Sequence, residues 1–196
     1  MSRRTLLALG AVVVVVAVLV VGLTQAGSGS KGPDQAQLSP REQQRRLAGA
    51  PPELAALHAQ ASVLLPGDRA TVRAKLAALQ AAGRPVVINK WAAWCGPCRL
   101  EFPVFQRVSV ALGKRVAFLG LDSDDNAAAA RAFLKQTPLS YPSYEDRNTR
   151  VAQDLEAGKF YPTTVFIDAR GQRLVHQGPY EDDATLERDV RRYALQ

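Results

Sequence analysis

The chain of 196 residues carries only two cysteines and two histidines, and this scarcity closes several routes at once. Small secreted scaffolds that depend on disulfides usually carry several pairs joining distant segments, whereas here Cys95 and Cys98 stand three residues apart. A closed zinc site needs four ligands. Beyond the two thiols, only His58 and His176 are available, and neither belongs to a second paired motif. There is no internal repeat, which excludes a solenoid. There is no long basic block in the body of the chain either. The net charge is +7, but residues 1–50 hold six Lys/Arg against two Asp/Glu, leaving 19 against 16 in residues 51–196. An excess of about +3 does not support a nucleic-acid role.

What is present begins with an uncharged run from Leu6 to Leu23, preceded by Arg3 and Arg4. It is about long enough to cross a hydrocarbon core as a helix. An export signal and a membrane anchor both fit residues 1–26; the length of the run favours an uncleaved anchor over a cleaved signal. Arginines before the run and only Lys31 soon after it place the N-terminus in the cytoplasm and the rest outside. That is a single-pass protein of the cytoplasmic membrane with an extracytoplasmic domain. Residues 27–50, rich in Gly, Ser, Gln and charge, read as a flexible linker. The length then leaves room for one domain, residues 51–196.

Within that domain, a proline-opened helix from Pro51 would place Leu54, Leu57, Ala61 and Leu64 on one stripe and stop at Pro66-Gly67. Asp68 caps a second helix that ends at Gly83. Val86-Val87-Ile88 suits a buried strand. After the cysteines, Val104, Phe105, Val108 and Leu112 repeat at helical spacing up to Gly113. "RVAFLGLD" reads as a strand, Asp124 or Asp125 as the cap of a helix "NAAAARAFLKQ", and "SYPSYED" as an extended connection. A short helix near residues 149–156, a hairpin of "TTVFID" and "RLVHQG", and a last helix over residues 184–194 follow. Strands separated by helices, then a hairpin, predict an α/β sandwich with a mixed central sheet.

Both cysteines lie in "WAAWCGPCRLEFP". As a staple the pair is poor, because closing a loop of four residues stabilises by at most about 2 kcal/mol. As a redox pair it has a physical basis. A strand that turns into a helix leaves Cys95 at the helix N-terminus, where free N–H groups and the helix dipole favour a thiolate. Cys98 lies one turn further in and partly covered, so Cys95 attacks and Cys98 resolves. Gly96 relieves crowding in the turn, and Pro97 suits the first helical position. Trp94 and Trp91 are candidates to wall the site, with a pure packing role equally open for Trp91.

The stretch "VVINKWAAWCGPCRLEFPVF" resembles the thioredoxin superfamily, and within it the membrane-tethered, extracytoplasmic TlpA-like and ResA-like thiol-disulfide oxidoreductases, including those of cytochrome c maturation. The resemblance covers roughly residues 68–196. Pro103 matches the family's kink proline and Glu101 the branch's glutamate. "DSDDNAAAARAFLKQTPLSYPSYED" matches the branch's insertion, and "FYPTTVFID" matches the cis-proline loop. It implies a thioredoxin-like three-layer sandwich in which Pro162, flanked by Tyr161 and Thr163, packs beside the cysteines. Cytoplasmic thioredoxins pair a buried aspartate with a lysine at the positions of Asn89 and Phe118; neither residue here moves a proton. Glu101 is then the candidate acceptor for the Cys98 proton, the other reading being an exposed surface carboxylate.

The resemblance further implies dithiol-disulfide exchange through a redox-active Cys95–Cys98 disulfide, with no metal or organic cofactor. Its partners would be disulfide-bearing proteins, apocytochrome c among them, and a CcdA-like or DsbD-like membrane electron donor. The Gly-Pro dipeptide is that of reducing thioredoxins, which favours a protein-disulfide reductase. An oxidase or isomerase of the same fold, and a non-catalytic binding or metallochaperone protein, are the alternatives.

Overall fold

Val86–Trp91 is the strand around which the molecule is arranged, and every residue in it is buried. The computed structural model describes residues 37–196, which form one unit. In chain order the elements are α1 (Pro40–Leu47), α2 (Pro52–His58), β1 (Leu64–Leu65), α3 (Arg69–Ala81), β2 (Val86–Trp91), α4 (Gly96–Leu112) and β3 (Ala117–Ser123). There follow α5 (Ala127–Gln136), β4 (Ser143–Asp146), α6 (Arg150–Asp154), β5 (Thr163–Ile167), β6 (Arg173–Gln177) and α7 (Asp183–Asp189), which continues into a π-helical turn, Val190–Ala194.

The six strands lie in the order β1-β4-β3-β2-β5-β6. β1, β4, β3 and β2 are mutually parallel, while β5 runs antiparallel to β2, and β6 to β5. The sheet is therefore mixed. Successive residues of β2 point to opposite faces, and each face has its own core. Val87 and Trp91 join Phe102, Phe105, Phe133 and Leu186 from α4, α5 and α7. Val86 and Ile88 join Leu54, Leu57, Leu79 and Val151 from α2, α3 and α6. Helices thus cover both faces, as a three-layer sandwich requires.

Several local readings of the sequence change. Residues 37–50 are not a flexible tether: Ser39 caps α1, its Oγ accepting the Glu42 N–H at 3.3 Å, and Gln43 and Leu47 are buried. The Leu38 N–H donates to Gln106 Oε1 at 2.6 Å, and Gln43 Nε2 donates to the Leu38 and Pro138 carbonyls. Glutamine here packs and bonds inward, which a reading from composition misses. Leu64 belongs to a strand, not to the helix opened by Pro51-Pro52. That helix ends at His58, and Ser62 turns the chain with φ 58° and donates its hydroxyl to the Leu139 carbonyl. The cap of α5 is Asn126, whose Oδ1 accepts the N–H groups of Ala128 and Ala129. Ser143–Asp146 is a strand between β1 and β3. It comes so close at Gly120 that a Cβ there would collide with Ser143 Oγ, the acceptor of the Trp91 indole N–H. Asp68, by contrast, caps α3 as the sequence predicts, accepting the Thr71 N–H at 2.7 Å.

The apolar run Leu6–Leu23 lies outside the described residues. Among those described, no helix is long and apolar enough to cross a membrane.

Candidate active site

β2 ends at Trp91, and four residues later Cys95 occupies the N-cap of α4. Cys95 and Cys98 form a disulfide, with Cα atoms 5.3 Å apart. The Cys98 N–H donates to Cys95 Sγ at 3.1 Å. This is the environment that stabilises a thiolate once the bond is reduced, since the N–H groups of the first turn have no partner inside the helix. Cys95 retains 3% of its surface and Cys98 none, so an incoming sulfur meets Cys95. Gly96 and Pro97 are exposed, and a Cβ at Gly96 would meet nothing within 4 Å, leaving the approach open.

Glu101 is fully buried, not a surface carboxylate. It follows Cys98 by three residues, so the two share a face of α4. Its Oε1 accepts from Asn89 Nδ2 at 2.6 Å and its Oε2 from the Tyr180 N–H at 3.1 Å. Burial pushes its pKa up to about 8, against the opposing pull of those two hydrogen bonds. Asn89 Oδ1 is buried without a partner. A half-turn of the amide would put an acceptor where the donor now stands, so Asn89 can serve either protonation state of Glu101. Phe118, beside Val87 on β3, is stacked on Tyr141 and supplies no cation.

The Tyr161–Pro162 bond is cis and lies at the start of β5, one residue before the Lys90–Thr163 register pair. This brings the loop to the same end of the sheet as the cysteines. The Tyr161 ring lies 4.9 Å from that of Trp94, joining the two loops. Trp94 is 57% exposed and Phe160 62%, so the loops that carry Cys95 and Pro162 each present an apolar side chain to solvent. Trp91 is buried, edge-on to Phe102 at 5.0 Å, and packs the core. Thr163 is buried and ties its hydroxyl to the Phe160 carbonyl at 2.8 Å.

A third loop, from which the sequence predicts a helix cap and the start of the insertion but no site residue, holds both others. Asp125 Oδ2 accepts the Ala93 N–H, the Asp124 carbonyl accepts the Trp94 indole N–H at 2.9 Å, and the Ser123 carbonyl accepts the Tyr161 hydroxyl at 3.1 Å. Beneath it, burial and the neighbouring Asp125 carboxylate raise Asp122 to about 8. The run "DSDD" is the available signal. Burial lowers the His58 pKa, and His176 stacks on Tyr180 at 4.4 Å. Among the described residues, no group of three or more His, Cys, Asp or Glu is assembled that could hold a metal ion.

A mixed sheet whose central strand delivers a CxxC disulfide to a helix N-terminus, beside a cis-proline loop, defines a thioredoxin-like protein with a redox-active pair. A sequence model of the AhpC/TSA family matches residues 58–173, more than half of the chain, and the protein belongs to that family. It is similar to the thiol-disulfide oxidoreductase ResA of Bacillus cereus, 31% identical over 91 residues, which are 46% of this chain and 52% of the relative. It is also similar to the thiol:disulfide interchange protein DsbE of Pseudomonas fluorescens biotype C, 33% identical over 106 residues, 54% of each chain. The chain spans about half the length of the curated relatives it matches. Among solved structures, MTB dsbF superposes with a TM-score of 0.53 at 26% identity, covering 57% of this chain and 82% of that one. A secreted Mycobacterium tuberculosis disulfide oxidoreductase homologous to E. coli DsbE gives 0.52 at 25% identity, covering 58% and 84%.

Proposed function

We propose that the protein is an extracytoplasmic thiol-disulfide oxidoreductase that reduces protein disulfides, held at the cytoplasmic membrane by its N-terminal apolar run. The observation that carries this reading is the Cys95–Cys98 disulfide at the head of α4, with a buried carboxyl one turn beyond it. In the reduced protein the Cys95 thiolate attacks one sulfur of a substrate disulfide, and the other substrate sulfur leaves as a thiolate. The backbone beside Pro162 pairs with the substrate segment in extended form, while Trp94 and Phe160 cover its apolar side chains. Cys98 gives its proton to Glu101 and attacks Cys95 Sγ, releasing the second substrate thiolate. Two electrons pass from the cysteine pair to the substrate, and Cys95–Cys98 is left oxidised.

Gly96-Pro97 between the cysteines, with no histidine, favours the reducing direction. Reduction outside the cytoplasm needs electrons from within, supplied by a CcdA-like or DsbD-like membrane carrier. Disulfide-bearing protein substrates fit the similarity to ResA and DsbE, and apocytochrome c is the candidate among them. The test is the reduction potential of the full chain against dithiothreitol or glutathione buffers. A value of about −270 mV or lower supports the reductase; a value of about −120 mV reverses the direction and makes the protein an oxidase.

A further inference from the structure

Lys90 has no part in the exchange just described, yet it sits one residue from the end of the central strand with 1% of its surface exposed. Strand alternation turns it toward the face of β2 opposite Asn89 and Glu101. Its ammonium donates to the Gly158 carbonyl at 2.9 Å and to the Phe160 carbonyl at 3.0 Å, and lies 3.6 Å from the centroid of the Tyr161 ring. All three partners belong to the few residues preceding Pro162. No ion pair is formed by this cation among the described residues, although Asp124 and Asp146 face it from the ends of β3 and β4.

Removing an ammonium from water is expensive, and an apolar residue would fill a central strand position without that cost. What the lysine supplies that an apolar side chain lacks is a charge-assisted hold on two carbonyls and an aromatic face. The Tyr161 ring so held is the one in contact with Trp94. A cleft of about 550 Å³, lined by Lys90, Tyr161, Gly158, Asp124 and Glu156, opens beside it. The loop therefore has space into which it can relax when released.

We propose that Lys90 is the positioning residue of the substrate-binding loop, fixing residues 158–161 so that the backbone before Pro162 is presented to a protein disulfide. The inference rests on the oxidoreductase reading above, and it separates docking from sulfur chemistry. A substrate that binds through its chain needs the loop; a small disulfide that meets only Cys95 does not. Burial also lowers the Lys90 pKa to about 8, with Asp146 and Asp124 opposing. The hold is then strongest below that pH and weakens above it, where the neutral amine donates uncharged hydrogen bonds.

The experiment compares the full reduced chain with its Lys90→Met variant, oxidised by insulin as the protein disulfide and by cystamine as the small one. The expected result is an apparent KM for insulin raised about tenfold, with the limiting rate, the cystamine rate and the reduction potential unchanged. Amide hydrogen exchange at residues 158–163 should quicken in the variant. An unchanged KM for insulin, or equal losses on both disulfides, overturns the proposal. Should the variant fail to fold, the wild type decides. Its KM for insulin should rise about fivefold between about pH 7 and pH 9 without a slower cystamine reaction, and a flat KM overturns the assignment. A wild-type protein that exchanges with neither disulfide overturns the oxidoreductase reading instead, and unchanged exchange at residues 158–163 in the variant then overturns the role of Lys90.

Discussion

Asn89 and Lys90 are neighbours in one buried strand and face opposite ways, each reaching a different part of the proposed site. On the α4 side, Asn89 meets Glu101, and the two are sealed beneath the cysteine pair. On the other side, Lys90 grips the loop before Pro162, which borders a cleft. The first setting is dry and fixed by a helix, as suits thiols and a carboxyl whose protonation must be controlled. The second is a loop held by one side chain at the rim of open space, as suits a surface that must accept different protein segments. A single strand thereby contacts the carboxyl next to the cysteine helix turn on one face and the loop before Pro162 on the other, so the roles proposed for the two faces can be tested separately.

The largest effects are expected at the sulfurs themselves. Cys95→Ser should lower exchange by more than about a thousandfold with protein and small disulfides alike. Cys98→Ser should let the first attack proceed and accumulate mixed disulfides, visible on non-reducing gels. Next in size is Glu101→Gln. With its proton acceptor gone, Cys98 should resolve the mixed disulfide about a hundredfold more slowly at neutral pH, and the rate should lose its dependence on a group titrating at about 8. Stopped-flow oxidation by cystamine checks this. An unchanged rate and profile would leave Glu101 a packing residue only.

The same two faces should be separable in stability. Glu101 is raised from 4.5 to about 8 in the folded protein. Between those values the unfolded chain releases a proton that the fold retains, so stability falls as pH rises through that window. Lys90 is lowered from 10.5 to about 8. Between about 8 and 10.5 the fold has released a proton that the unfolded chain keeps, so stability rises with pH there. Each arm is expected to span about 1–3 kcal/mol. Urea denaturation across pH should show a minimum near 8. Asp122, likewise raised to about 8, shares the falling arm, so Glu101→Gln should shrink that arm and leave the rising one, and Lys90→Met should remove the rising arm alone.

Much of this is legible in the sequence because it is local. A proline and a glycine between two cysteines, after a β-branched run and before helical spacing, specify strand, turn and helix, and Asp68 or Gly113 marks its element by one residue's chemistry. Glu101 stands out by its spacing to Cys98, but its burial depends on Tyr180, 79 residues away, which no local pattern announces. Ser143–Asp146 looks like a connection because only four residues pair there, and its parallel partners come from distant segments. Lys90 does not stand out, because a lysine in a strand ordinarily reads as solvated. Only the loop folded back over it from residues 158–161 makes it a buried donor.

The smallest effect is expected at the seam between the two faces. Tyr161 touches Lys90 and Trp94 with its ring, while its hydroxyl donates to the Ser123 carbonyl at 3.1 Å. Tyr161→Phe keeps the ring and removes only that hydrogen bond, a loss of about 1 kcal/mol. In a protein of this size that corresponds to a Tm lower by about 2–4 °C. If the Lys90 ammonium and the aromatic face fix the loop, the KM for insulin and the reduction potential should both stay at the wild-type values. Were the KM to rise as far as in Lys90→Met, the loop would be held chiefly from the β3 end, through Ser123. The face carrying Lys90 would then be a consequence of the docking loop's position and not its cause.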